Sequence, residues 1–421
     1  MAVAPGKRPI RLVVRDDDLR RSRPTVLFRL FLAIPHLVWL FLWGIGVNVV
    51  VFVLWLAILI EGQVPKVLHD FVAGYLRYAT HVGAYLFLAA NPYPGFRGVP
   101  GYPLDVEIAP PARQSRWATL FRLVLALPAI LLAGVLGSAF GLFSIGALYF
   151  SGAGGIAAFL VWFVALVRAS APKGLRDLTA YTLDYGAQAG GYLLLLTDRY
   201  PSSDPALLEP IPDLPEHPVR AVVTDDLGRS RLTILFRLLL AFPHIVWLML
   251  WTIPAFIAVI GAWIVALATG RVSTRLHRFL AAYVRYWTHV LAYLYVVGRK
   301  FPGFTGREGS YGIDMRIDPP QPQSRWKTLF RLFLAIPAGL VASALGNVLL
   351  VIAILAWWVG LVLGRMPEGL RNLGVSCLRY SAQTYAYLGL LTDSYPYASP
   401  VLEGRPRADA VPEPVLPWDA F

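Results

Sequence analysis

Four times along the chain the sequence returns to Leu-Phe-Arg-Leu: at 27–30, 120–123, 235–238 and 329–332. Each copy is followed at fixed distance by an alanine and a proline, namely Ala33 and Pro35, Ala126 and Pro128, Ala241 and Pro243, Ala335 and Pro337. Self-similarity over so long a period constrains architecture before any local reading does, because each copy must form the same supersecondary unit and lean on its neighbours for a core. The copies also alternate. His36 and His244 follow the proline in the first and third, Ala129 and Ala338 in the second and fourth. An ancestral pair that was later duplicated explains this, and Arg29 and Arg237 stand 208 residues apart while Arg122 and Arg331 stand 209 apart.

A chain of 421 residues with 57% apolar and 15% charged residues lies outside the soluble range. The uncharged runs Leu30 to Ile60, Leu123 to Val167, Leu238 to Gly270 and Leu332 to Gly364 each exceed the roughly 20 residues that cross a bilayer. The first run is too long for a cleaved leader and is expected to act as its own insertion signal. No basic stripe on a soluble domain accompanies the net charge of +13, so anionic lipid rather than nucleic acid is the expected partner. The single cysteine, Cys377, excludes an intrachain disulfide and a thiolate metal cage.

Each copy opens with a β-like segment: Ile10 to Arg15, Leu104 to Ile108, Val219 to Thr224, Ile313 to Ile317. The anchor, the apolar run, a basic connection and a second helical stretch follow. The expected fold is an all-α integral membrane protein with short β-strands, in four tandem pseudo-repeats at 8–103, 104–205, 217–312 and 313–400, with a linker at 206–216 and a flexible Pro-rich tail at 401–421. A straight helix from Val26 to Ile60 would be about 50 Å long against a hydrocarbon core of about 30 Å. Helix breakers sit in mid-run: Gly44, Gly46 and Asn48; Gly137, Ser138 and Gly141; Thr252 and Pro254; Gly346 and Asn347. This favours a tight helical hairpin in each repeat followed by an amphipathic helix at the membrane surface or packed against the bundle; the alternative is one long kinked helix and a second, more polar span. Either gives about eight crossings with every strand on one side. Most of the 38 Lys and Arg fall on the strand-bearing segments, which places strands and termini in the cytoplasm and the chain in the cell membrane. Four equivalent strands on one face could form a cap, since a lone strand leaves backbone groups unpaired.

Two sets of residues are candidate sites. The anchors Arg29, Arg122, Arg237 and Arg331 could clamp lipid phosphates in a ring. The plainer reading has them snorkel to the interface or pair with strand carboxylates such as Asp17, Glu107, Asp226 and Asp314. In the second helix Arg77, Asp184, Arg285 and Arg379 are equivalent; His81, Gln188, His289 and Gln383 follow four residues on, and Tyr85, Tyr192, Tyr293 and Tyr387 four further. That spacing shares one helical face. Around a common axis it would line a polar path, with Asp184 neutralising a neighbouring arginine; on a surface helix it would only face headgroups. The histidines lack the i, i+3 or i+4 spacing of a metal site, and no nucleophile, phosphate-loop or paired-carboxylate motif is present. Neither catalysis nor a cofactor is expected.

The run Leu32-Ala33-Ile34-Pro35-His36, the Arg77-Tyr78 pair, and the closing Leu-Leu-Thr-Asp-x-Tyr-Pro at 195–201 and 390–396 together resemble domain of unknown function 4389, a bacterial membrane-protein family, over about Ile10 to Tyr397. The closing motif is altered at Asn91-Pro92-Tyr93-Pro94 and Arg299-Lys300-Phe301-Pro302. The resemblance implies a membrane fold and carries no catalytic residue or substrate. The expected role is a non-catalytic membrane scaffold or lipid-binding protein, monomeric with internal pseudo-symmetry. The alternative is a transporter or channel-like protein whose path the second helices line.

Overall fold

The computed structural model describes residues 8–15, 18–137, 152–207 and 215–402. The strands are β1 Ile10–Val14, β2 Leu104–Ile108, β3 Val219–Val223 and β4 Ile313–Ile317. Each is followed by a short helix: Arg23–Leu27, Arg116–Leu120, Arg231–Leu235 and Arg325–Leu329. A serine precedes every short helix, and the hydroxyls of Ser115 and Ser324 accept the amides of Ala118 and Lys327, a satisfied N-cap. The short helix ends at the phenylalanine of the anchor. Phe28, for example, has φ −95° and ψ 9°, outside helical geometry, so the arginine after it begins a new helix.

That new helix overturns the expected hairpin. In repeats 1, 3 and 4 the apolar run is one unbroken helix of 33 residues, Arg29–Glu61, Arg237–Thr269 and Arg331–Leu363, about 50 Å long at 1.5 Å per residue. The residues read as breakers are accommodated within it. Gly44 makes room for the Tyr75 hydroxyl, Gly346 meets nothing within 4 Å, and Asn48 and Thr252 donate to the carbonyls four residues earlier. The helix stops at Gly62, Gly270 and Gly364, each in the left-handed region. In repeat 2 the run is two helices, Arg122–Leu136 and Ala153–Arg168, flanking a segment outside the described residues that includes Ser138 and Gly141. Gly137 and Gly152 bring the two helices together so closely that a Cβ on Gly152 would strike the Gly137 backbone. The longer run of this repeat is thus the common helix with an insertion.

The fourth part is a return helix of 21 residues: Lys66–Leu86, Lys173–Leu193, Thr274–Leu294 and Glu368–Leu388. Those of repeats 1 and 3 carry exposed residues in their first half, such as Val67 and Arg275, whereas from Arg176 to Tyr192 every residue of repeat 2 is buried. A helix buried on all sides is not a surface helix, so of the two placements expected for it the return helices of repeats 2 and, nearly as fully, 4 take the one packed against other elements.

The chain divides into two compact units, the first through Ser202 and the second over Asp213–Glu403 with Ser203–Pro205. Each holds one odd and one even repeat. In the first, β1 pairs antiparallel with β2 (Ile10 opposite Ile108, Val14 opposite Leu104); in the second, β3 pairs with β4 (Val219 opposite Ile317, Val223 opposite Ile313). The described strands therefore make two two-stranded sheets, not one cap of four. A two-stranded ribbon is marginal alone. Here it is covered, because each strand lies on the return helix of the other repeat in its unit.

Among the described residues three helices are long and apolar enough to cross a membrane, Arg29–Glu61, Arg237–Thr269 and Arg331–Leu363. Eight crossings are not supported. Large apolar side chains such as Phe31, Phe41, Ile60, Phe256 and Phe333 stand exposed on these helices, far more apolar surface than a soluble protein leaves uncovered.

Candidate functional site

The anchor arginines come to rest in the same clamp four times. Each guanidinium lies over a tyrosine of its own return helix, 4.2 to 4.5 Å from the ring centroid: Arg29 on Tyr85, Arg122 on Tyr192, Arg237 on Tyr293, Arg331 on Tyr387. A second ring, Tyr93, Tyr200, Phe301 or Tyr395, meets that tyrosine edge-on. In repeats 1 and 4 the guanidinium then donates to a carbonyl in the last turn of the return helix and to another in the turn that follows it. Arg29 reaches Tyr85 O at 2.7 Å and Ala90 O at 3.1 Å; Arg331 reaches Tyr387 O at 2.6 Å and Thr392 O at 2.9 Å. A cation at the negative end of a helix, satisfying its last carbonyls, is favourable on both counts. With 2 to 3% of their surface exposed, these residues cannot grip lipid phosphates. The lipid-clamp reading is therefore corrected, and so is the pairing with strand carboxylates. Glu107 instead pairs with Arg11, Asp226 with Arg299 and Asp314 with His289, while Asp17 lies outside the described residues.

Sequence reasoning missed the residue eight positions before each anchor. Arg21 donates from Nε to Leu88 O and from Nη2 to Ala89 O; Arg229 does the same to Val296 O and Val297 O. In the even repeats glutamine replaces arginine. Gln114 and Gln323 donate to Leu195 O and Leu390 O and accept from Arg122 and Arg331. Their targets explain the repetition: Leu88, Leu195, Val296 and Leu390 all have φ of 58° to 65°, a strained conformation for a leucine and more so for a valine. The bonds hold the strained turn in place. Burial, then the charge of nearby Arg29, lowers the Arg21 guanidinium to about 10, which leaves it charged at neutral pH. The closing Thr-Asp motif belongs to the same clamp, since Asp393 accepts from Arg331 and from the Ser324 amide that opens the short helix.

The polar face of the return helix docks the partner strand. His81 Nε2 donates to Asp105 Oδ1 of β2 at 2.9 Å, and His289 Nε2 to Asp314 Oδ1 of β4 at 2.7 Å, all four side chains buried. Arg77 and Arg285 donate from Nε to the next strand carbonyls, Val106 O and Met315 O. In the even repeats Asp184 accepts the Leu12 amide of β1 at 2.8 Å, and Gln383 donates to Val219 O of β3 at 3.0 Å. Gln188 bridges Arg8 and Asp184, bonding each through one end of its amide. Arg379 donates to Ser399 O and Val401 O. Spacing placed these residues on one helical face correctly. Within each unit that face meets a strand and a loop, so these contacts give them a docking role instead of the lining of a path.

Burial alone would raise the Asp105 and Asp314 carboxyls, but the bonds from His81 and His289 and from the Gly101 and Gly309 amides outweigh it and hold both below the usual carboxylate range. The alternating histidines are engaged too: His36 Nδ1 shares a 2.6 Å hydrogen bond with the Tyr78 hydroxyl, and His244 a 2.8 Å bond with that of Tyr286. Among the described residues no three His, Cys, Asp or Glu side chains gather as metal ligands would.

Interlocked repeat pairs, each with a clamp and a docked strand, and three helices long and apolar enough for a bilayer define a helical repeat protein of membrane type. The chain belongs to the family of the domain of unknown function DUF4389, whose model matches residues 23–97, 142–203, 231–305 and 325–399. Three of the four matches open on the first residue of a short helix, and all four end beyond the return helix, so the strands that tie the pairs together lie outside them. No curated protein and no solved structure matches the chain.

Proposed function

We propose that the chain is a non-catalytic scaffold of the cell membrane, held by its apolar helices, with strands and termini on the cytoplasmic side. The observation that carries this reading is the use of the polar residues: those that could line a path, Arg77, His81, Asp184, Gln188, Arg285, His289, Arg379 and Gln383, bond to strands and loops within their own units. The lipid contact moves from the anchors to the residue six positions earlier. Arg23, Arg116, Arg231 and Arg325 are exposed, and Trp117 and Trp326 beside them are each 73% exposed, a pairing of cation and indole suited to anionic headgroups.

The test is a flux assay on proteoliposomes with a topology readout on cells. Vesicles carrying the protein should leak ions and small solutes no faster than empty ones. A saturable flux abolished by Asp184→Leu would establish the transporter reading instead. Cysteine placed at Arg220 should react with a membrane-impermeant thiol reagent only after permeabilisation; labelling of intact cells would reverse the orientation.

A further inference from the structure

A carboxylate that closes the even repeats is missing from the first. In repeats 2 and 4 the aspartate three residues beyond the strained turn, Asp198 or Asp393, accepts the backbone amide of the serine before the short helix, Ser115 or Ser324. In repeat 1 the equivalent residue is Asn91, whose Oδ1 accepts from Arg29 Nη2 at 3.3 Å, and the Ser22 amide has no acceptor among the described residues. A cavity of about 570 Å³ lies there, and its lining includes Arg20, Ser22, Asn91, Arg168 and Ser170.

Backbone pairing turns these side chains to one side. Arg20 stands opposite Ser170 in an antiparallel bridge, flanked by bonds from the Arg21 amide to Ala169 O and from the Ala171 amide to Leu19 O, both 2.8 Å. Side chains opposed in this way share a face, and Ser22, two residues on, shares it with them, while the Arg21 guanidinium turns the other way to the carbonyls of Leu88 and Ala89. Arg168 reaches the cavity from the end of the apolar helix Ala153–Arg168. Arg20 and Arg168 are exposed, and neither guanidinium has a carboxylate partner among the described residues. Asp18, two residues before Arg20, accepts the Arg20 amide at 2.8 Å. The even repeats lack this pair of cations, with Arg113 and Pro322 in the place of Arg20 and Glu61 and Thr269 in that of Arg168. Repeat 3 also carries arginines here but distributes them otherwise: Gly228 replaces Arg20, Leu363 replaces Arg168, and Arg299, in the place of Asn91, is paired with Asp226.

Two guanidiniums, two hydroxyls and the Asn91 amide form a set of donors that suits an anion with several oxygens. We propose that this pocket of the first unit binds a phosphate group, Arg20 and Arg168 gripping its oxygens where the even repeats carry an aspartate. Exposed Phe163 and Val167 lead along the apolar helix to Arg168, so the pocket opens at the edge of an apolar surface. A phosphate there comes from a lipid headgroup or from solution, and only the lipid source rests on the scaffold reading. The experiment titrates the full chain, in micelles of the phosphate-free detergent dodecyl maltoside, with dioctanoyl phosphatidic acid in one arm and inorganic phosphate in the other, reading the ³¹P resonance against empty micelles. Saturable binding of one equivalent is expected, and the arm that binds more tightly identifies the source. Arg20→Gln/Arg168→Gln, two exposed changes that leave the fold intact, should weaken binding by about tenfold or more through the loss of charge-assisted hydrogen bonds. Asn91→Asp, which installs the carboxylate of the even repeats, should weaken it severalfold. Arg113→Gln/Arg275→Gln removes the same charge from exposed positions elsewhere and should leave binding unchanged. Absence of saturable binding in both arms, or a loss in Arg20→Gln/Arg168→Gln no greater than in this charge-matched control, would overturn the proposal while leaving the flux and topology tests of the scaffold reading untouched.

Discussion

Removing the carboxylate of Asp314 tests the idea that the return helix and the partner strand are locked together by one buried group. In Asp314→Ala three donors lose their acceptor: His289 Nε2 at 2.7 Å, the Met315 amide at 2.8 Å and the Gly309 amide at 2.6 Å. Each buried donor left unsatisfied costs about 1–3 kcal/mol, and breaking a buried charged pair by deleting one member costs about 3–5 kcal/mol. Since Gly309 is only partly buried and water can relieve it, a loss of about 3–5 kcal/mol is expected in total, a large share of the roughly 5–15 kcal/mol that holds a typical fold. Asp314→Asn keeps one oxygen but turns an amino group toward the Gly309 amide, so it should lose about 1–3 kcal/mol. Asp318→Ala is the control. It removes a partly exposed partner of Arg220 and should cost no more than about 1 kcal/mol. Denaturant unfolding in mild detergent, followed by tryptophan fluorescence, reads all three. An unfolding midpoint for Asp314→Ala equal to that of Asp318→Ala would refute the argument.

Arg331→Gln removes the cation from the end of its return helix and should cost about 3–5 kcal/mol, while leaving co-flotation with anionic vesicles unchanged. Lost flotation by a folded Arg331→Gln protein would restore the lipid-clamp reading. Acid should loosen the units: the carboxyls of Asp105 and Asp314 are lowered in the fold, so their contribution is complete above the unfolded value of about 3.9 and is lost as pH falls through the folded values. Thermal unfolding should therefore begin to decline below about pH 6.5, where burial keeps His69, His217 and His277 from taking the protons that the unfolded chain accepts, and should show a further fall at about pH 4 that is less steep in Asp105→Asn/Asp314→Asn. Gly98→Ala should destabilise by more than about 1 kcal/mol, because an alanine at φ 60° is strained and its Cβ meets the return helix. Gly95→Ala, which meets nothing within 4 Å, should be neutral by the same melting assay.

Repetition made the order of elements legible: all four strands, anchors and return helices stand where pattern alone put them. The middle of each apolar run did not read correctly, because Gly44, Asn48 and Gly346 break helices in water but are tolerated, or needed for packing, where a continuous apolar run keeps backbone bonds internal. The candidate residues were found and their company was not. An arginine at the start of an apolar helix looks like a lipid anchor until the strained turn at Leu88 or Leu390 is seen to present carbonyls to it. Arg21 and Gln114 perform one task with different side chains, so no sequence pattern linked them. Exchange of strands between repeats likewise left no local trace, being a matter of which of two equivalent return helices a strand covers.

Disulfide trapping in a Cys377→Ala background measures that exchange of strands directly. Arg11 faces Glu107 and Arg220 faces Arg316 across the two ribbons, so Arg11→Cys/Glu107→Cys and Arg220→Cys/Arg316→Cys should each close an intramolecular disulfide under mild oxidation. Mass spectrometry of the digested protein identifies the bridge. Formation of both within a monomer is the expected result; failure of both in a protein that remains folded would contradict the pairing.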